Sequence, residues 1–139
     1  MAEVILLQIE PAKRAPMLRQ DSLRLTAELG IEGDAHAKAG SARQVLLMAE
    51  ENCDHFGLAP GEVRENLVTR GIDLQALALG TKLAIGTATL EITQDCTPCA
   101  FIDTLRPGLR AKIAGRRGML ARVTGSGEIH LGAAIRVIP

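Results

Sequence analysis

The chain has 139 residues, 47% of them apolar and 23% charged, which fits one domain spanning 1–139 with a buried core. Sixteen basic residues balance sixteen acidic ones, so no net field favours nucleic acid or anionic lipid, and the absence of Trp and Tyr leaves no aromatic platform for stacked bases. No stretch is long and apolar enough to span a membrane, and no basic export region precedes the first strand. An odd cysteine count does not fit a disulfide framework, so a reducing cytoplasm is the expected compartment.

Val4 to Ile9 is an apolar run closed by Pro11 and reads as a buried strand. Residues 12–19 form a basic connection interrupted by proline. Ser22 to Leu29 is predicted as a second strand, with Leu23, Leu25 and Ala27 on one face. A loop of glycine and small residues follows from Gly30 to Ala42. Gln44 to Met48 is a short apolar strand. Residues 49–56 have helical spacing, with Ala49, Cys53 and Phe56 on one side and Gly57 as a stop.

Lys82 to Thr93 carries the clearest hairpin. A two-residue Gly86-Thr87 turn has type II′ chemistry, and it pairs Ile85 with Ala88 and Leu83 with Leu90. Pro107 and Gly115 bracket a short helix with Leu109 and Ile113 four residues apart. Met119, Ala121 and Val123 alternate, Gly125-Ser126-Gly127 turns the chain, and residues 129–137 keep a period of two. Many short strands with two or three short helices predict a mainly β fold, a β-barrel.

Chemistry concentrates at Cys96-Thr97-Pro98-Cys99, where a patterned strand gives way to a turn. Thiolate is both a nucleophile and a soft-metal ligand. The spacing fits a dithiol redox couple, half of a zinc site, one working thiol with a neighbour, or two small residues filling a turn. Zinc needs about four ligands, and Cys53, His36, His55 and His130 form no second close pair. The βαβ context of a thioredoxin-like couple is also missing. Three further clusters stand out: Gly33-Asp34-Ala35-His36 with Arg43-Gln44, then Glu65-Asn66-Leu67, then Arg116-Arg117-Gly118. Each has a plain structural reading: turn chemistry, a strand entry, and cations at a helix end.

In order along one chain, these motifs resemble the MOSC domain, named for the C-terminal domain of molybdenum cofactor sulfurase. The resemblance runs from about Val4 to Val137. It rests on Gly-Asp-x-His at Gly33 to His36, Arg43-Gln44-Val45, Glu65-Asn66-Leu67, Leu77 with Gly80, Thr97-Pro98-Cys99, and Arg117-Gly118 followed by Ala121-Arg122-Val123. It implies a mostly β barrel and places the family's signature cysteine at Cys99. In some relatives that cysteine binds the molybdenum of a pterin cofactor, and N-hydroxylated compounds are reduced. In others the domain is thought to accept sulfur from a pyridoxal-phosphate-dependent desulfurase.

The implied roles are these. Cys99 is the catalytic thiol and metal ligand, carrying a persulfide or binding molybdenum cofactor (molybdopterin). Arg43, Asn66, Thr97 and Arg117 hold the cofactor. Asp34, His36 and Cys96 stand behind them, Cys96 as a resolving thiol. The expected partner is a cysteine desulfurase or a molybdenum cofactor biosynthesis or acceptor protein, with a separate electron donor for any reduction. An open sheet edge invites a homodimer. The alternatives are a dithiol oxidoreductase using Cys96 and Cys99, and a non-catalytic interaction domain. Relatives usually have glycine before Glu-Asn-Leu where this chain has Arg64, so the backbone there is expected to differ.

Overall fold

A computed structural model describes residues 2–139. Eleven strands and three short α-helices follow one another as β1 (Glu3–Ile9), β2 (Leu18–Gln20), β3 (Ser22–Thr26), β4 (Gly30–Ile31), β5 (Val45–Ala49), α1 (Glu50–His55), β6 (Leu67–Arg70), β7 (Lys82–Ile85), β8 (Ala88–Asp95), α2 (Ala100–Leu105), α3 (Leu109–Ile113), β9 (Met119–Gly125), β10 (Gly127–His130) and β11 (Ile135–Ile138). A single 3-10 turn spans Leu74–Ala76. The mainly β class and the helices α1 and α3 are those expected from the sequence, whereas α2 had no range assigned there.

Eight strands form one sheet in the order β11-β7-β8-β9-β5-β6-β1-β2, and β10-β3-β4 form a second. Every pair is antiparallel except β5 with β6, which α1 connects. The large sheet curls without closing by continuous pairing. Its ends are tied where Val4 N–H donates to the Ala133 carbonyl at 3.0 Å and Gly132 N–H donates to that of Val4 at 2.8 Å. The inner faces enclose one aliphatic core of leucine, isoleucine and valine from both sheets. A satellite core, with Cys53, Val63, Ile102 and Ile113, lies under the three helices.

The hairpin register is the expected one: Ile85 opposes Ala88 and Leu83 opposes Leu90. Gly86 has φ 59°, as the first position of a type II′ turn requires. The C-terminal alternation holds differently. Residues 131–134 form a turn through Gly132 (φ 83°), so β10 and β11 lie in different sheets, and Leu131 and Val137 face outward. The second predicted strand stops at Thr26. The chain then turns through Glu28 (φ 69°) and returns as β4, inside a segment expected to be loop.

Candidate functional site: a cation-lined cavity beside Cys99

Strand β8 ends at Asp95, and the Cys96 N–H extends its pairing by donating to the Gly118 carbonyl at 2.9 Å. Gly118 must be glycine: its φ is 133°, and a Cβ there would collide with the Leu47 carbonyl oxygen. This close approach to β5 fixes Arg117 beside the end of β8. Cys99 then starts α2, with the Ile102 N–H donating to its carbonyl at 3.0 Å. Arg110 Nε of α3 holds the turn from outside by donating to the Pro98 carbonyl at 3.2 Å.

The two sulfurs are unequal. Cys99 is exposed, whereas Cys96 is buried. Burial pushes the Cys96 thiol upward, against the opposing charges of Arg117 and Arg43. Cys53, the third cysteine, is buried below, and burial with the neighbouring Glu65 carboxyl pushes its thiol up to about 12.

Cys96, Thr97 and Cys99 form one side of a cavity of about 780 Å³. Arg43, Leu46 and Leu120 continue its wall, followed by Val63, Arg64, Asn66 and Arg117. Glu10, Lys13, Arg14 and His36 close it from the segments after β1 and β4, and Phe101 borders it near Cys99. Five lysine or arginine residues therefore line the cavity against one carboxylate, Glu10, in a chain whose total charge is balanced. A low-dielectric wall concentrates such a field.

Arg117 is 6% exposed. Its Nη2 donates to the Val63 carbonyl at 2.6 Å, while Nη1 is buried without a partner. Behind it, the wholly buried Glu65 has an unpartnered Oε1, and burial raises its pKa against the attraction of Arg117. A buried polar atom left unpaired in a native fold calls for an unseen water, ion or ligand.

Asp34 organises the opposite wall. Its Oδ1 accepts from the Glu10 N–H at 2.8 Å and Asn66 Nδ2 at 3.1 Å, and its Oδ2 accepts from the His36 N–H at 3.0 Å. Burial alone would raise its pKa, but hydrogen bonds from His36 and the Glu10 amide outweigh that and hold it below the usual carboxylate range. His36 Nδ1 lies 3.3 Å from Asp34 Oδ2 and 3.4 Å from Glu10 Oε2. The hydrogen bond to Asp34 raises the imidazole pKa against partial burial, with both carboxylates adding to the rise. Nδ1 thus faces carboxylates and carries a proton, leaving Nε2 as the ring nitrogen without a partner among the described residues.

Of the residues singled out from the sequence, His36, Arg43, Asn66, Cys96, Thr97, Cys99 and Arg117 line this cavity and Asp34 lies directly behind it, whereas His55 and His130 do not line it. Asn66 lines the wall, but its amide mainly holds the frame. Oδ1 accepts from the Leu46 N–H at 3.0 Å, and Nδ2 donates to the Gln8 carbonyl at 3.3 Å as well as to Asp34. Gln44, next to Arg43, points inward and staples residues 28 and 38 to β9. Arg64 has φ 66°, so the backbone keeps a glycine-like conformation and the expected departure falls on the side chain alone. Glu10, Lys13, Arg14, Arg64 and Phe101 were not legible as site residues. The stretch carrying Lys13 and Arg14 reads as an ordinary basic connection, although Phe101 is one of only two aromatics. Among the described residues, no group of three or more His, Cys, Asp or Glu could hold a metal ion, and no helix is long and apolar enough to cross a membrane.

A family model described as the MOSC domain matches residues 34–136. The chain belongs to the MOSC domain family. Solved structures that share its fold include the following three. The YuaD protein from Bacillus subtilis is 23% identical with a TM-score of 0.83, over 99% of this chain and 96% of that one. YiiM from Geobacillus stearothermophilus is 19% identical with a TM-score of 0.74, over 100% and 76%. YiiM from Escherichia coli is 22% identical with a TM-score of 0.72, over 99% and 68%. No curated protein matches the chain.

Proposed function

We propose that this chain handles sulfur or molybdenum cofactor through Cys99, within a cavity that recognises an anionic partner group. One observation carries the reading: an exposed thiol opens on a cavity of about 780 Å³ whose lining is strongly cationic in a chain of zero net charge. The exposure of Cys99 and the burial of Cys96 favour one working thiol over a symmetric dithiol couple.

The residues fit molybdopterin. Arg43 and Arg117 supply forked donors for its phosphate, and the unpartnered buried Nη1 of Arg117 is in keeping with an absent anion or water. Thr97 and the remaining acceptor capacity of Asn66 suit polar edges of the pterin. Cys99 supplies a thiolate, the ligand type that soft metal centres select. Bound molybdenum supplies two-electron redox chemistry. The chain's own part is to hold the cofactor, with His36 as a proton-bearing group on the wall. Reduction of N-hydroxylated compounds then needs a separate electron donor.

As a sulfur carrier, Cys99 takes sulfane sulfur from a persulfide on a cysteine desulfurase. The Cys99 thiolate attacks the terminal sulfur, a new S–S bond forms as the donor S–S bond breaks, and the donor leaves as thiolate. The exchange consumes no oxidant or reductant. Cys96 lines the same cavity and is the resolving thiol: its thiolate attacks the inner sulfur of the Cys99 persulfide, the Cys96–Cys99 disulfide forms, and the outer sulfur leaves as hydrosulfide. A free working thiol fits the reducing cytoplasm.

The test is purification from a molybdopterin-producing host without oxidants, followed by molybdenum, pterin and intact-mass analysis. Either bound molybdenum with pterin or a mass increment of one sulfur is expected, and Cys99→Ser should abolish it. Retention of both cofactor and sulfur by the folded Cys99→Ser protein refutes the assignment.

A further inference from the structure

Residues 99–116 hold four basic residues, Arg106, Arg110, Lys112 and Arg116, and one acidic residue, Asp103, so this segment carries a formal charge of +3 and the remainder of the chain −3. All five side chains are exposed. Helices α2 and α3 bury Ile102, Leu109 and Ile113 in the satellite core and leave these charges facing solvent. Cys99 stands at the head of the segment. Arg110 Nε donates to the Pro98 carbonyl at 3.2 Å, which sets a cation of α3 against the turn that carries the thiol. None of the four cations lines the cavity beside Cys99, so they form an outer surface separate from its walls.

The chain itself does little to neutralise this surface. On the strands, Arg24, Arg70 and Arg122 each face two carboxylates. Among the described residues, Arg110, Lys112 and Arg116 are ion-paired with none, and Arg106 has only Glu62, at 3.8 Å. Asp103 is engaged at the start of α3, where its Oδ1 accepts from the Arg110 N–H at 2.8 Å. Like charges gathered on one face attract an opposite face from outside. Beside them Phe101 is 36% exposed, and among the described residues no other exposed large apolar side chain lines the cavity. An aromatic centre within a charged rim is the anatomy of a protein interface.

We propose that the exposed face of α2 and α3, from Cys99 to Arg116, docks a partner protein that presents carboxylates around its own donor group. This names the kind of partner for the proposed function and rests on its reading of Cys99 as the working thiol. Sulfur transfer to Cys99 and reduction beside it both need a donor from another protein, and the donor must sit on the surface around the thiol. Opposite charge steers such an encounter and raises its rate by about 10- to 1,000-fold at low salt.

The test uses two synthetic peptides of equal length, each with one cysteine activated as a 2-pyridyl disulfide. In one the cysteine is flanked by aspartate and glutamate, in the other by serine and glycine. The Cys99 thiolate attacks the peptide sulfur, the S–S bond of the probe breaks, and thiopyridone leaves and is read by its absorbance. With the intact chain at low salt, the acidic peptide should react about tenfold faster than the neutral one. The difference should fade toward about 1 M salt, where charges are screened beyond about 3 Å. Lys112→Glu with Arg116→Glu should bring the acidic peptide down to the neutral rate and leave the neutral rate within about twofold. Lys112→Gln with Arg116→Gln should fall between, and this pair decides by the same ratio if the reversed chain does not fold. Equal rates for the two peptides in the unaltered chain overturn the docking surface while the reading of Cys99 survives. An acidic preference that persists undiminished in the charge-reversed chain assigns the steering to the cavity walls and also overturns the surface. Thiopyridone release undiminished in Cys99→Ser overturns both the surface and the working thiol. A dimer seen by light scattering at low salt, and lost in the charge-reversed chain, identifies a second copy as the occupant and overturns the acidic partner.

Discussion

Asn66 illustrates how one side chain can hold a site together. Its three hydrogen bonds reach β5, β1 and the Asp34 loop, so one residue fixes two strands and the wall that carries His36. Truncation would leave the Leu46 N–H without its acceptor and remove a donor from Asp34. Buried polar groups deprived of partners typically cost about 1–3 kcal/mol each. We expect Asn66→Ala to lower stability by roughly 2–4 kcal/mol in urea unfolding. His36 should lose order with it, visible as loss of its raised imidazole pKa in NMR titration. A stability change under about 0.5 kcal/mol, the level of ordinary surface substitutions, would contradict this account.

At the scale of elements, the site depends on how closely β5 approaches the start of β9. Gly118 stands at that approach, and its missing Cβ leaves room for the Leu47 carbonyl. Gly118→Ala combines a forbidding φ with a backbone collision, and each effect alone costs about 1–3 kcal/mol. We expect a loss of roughly 3 kcal/mol or more together with a shift of Arg117, checked by unfolding and by a crystal structure of the variant. Elements with strong local signals were legible in the sequence, above all the Gly86-Thr87 hairpin, where turn chemistry and alternation specify the same register. The site was legible as motifs but not as a wall. Arg14, Arg64 and Glu10 converge only because β1, the 10–17 segment and the turn before β6 meet in three dimensions, and no local pattern encodes that meeting. The C-terminal alternation misleads for the same reason. A period of two runs through Leu131, but Gly132 turns the chain and passes it from one sheet to the other.

At the scale of the whole molecule, the two carboxyls and the imidazole with shifted pKa values, Asp34, Glu65 and His36, have opposite consequences for stability below pH 8. Asp34 is held below the usual carboxylate range, so its contribution is full above the unfolded pKa of about 3.9 and is lost as pH falls through its lower folded value. Glu65 is raised, chiefly by burial, so its contribution is full below about 4.3 and is lost as pH rises through its folded value. His36 is raised by its hydrogen bond to Asp34, and its smaller, half-exposed contribution is present below about 6.5 and lost at higher pH. Two of the three therefore weaken the fold toward alkaline pH, and one weakens it toward acid. The thermal midpoint of the apo chain should peak on the acid side of neutral and decline through pH 7. Glu65→Gln keeps the shape of the side chain and removes its charge, so it should raise the midpoint at pH 7 more than at pH 4.5 and flatten that decline. Asp34→Asn should instead flatten the acid limb. Differential scanning calorimetry from pH 3.5 to 8 separates these outcomes. An unchanged neutral-side slope in Glu65→Gln would mean that the carboxyl is ionised in the fold and compensated by Arg117. That outcome would leave the cation field of the cavity weaker by one charge.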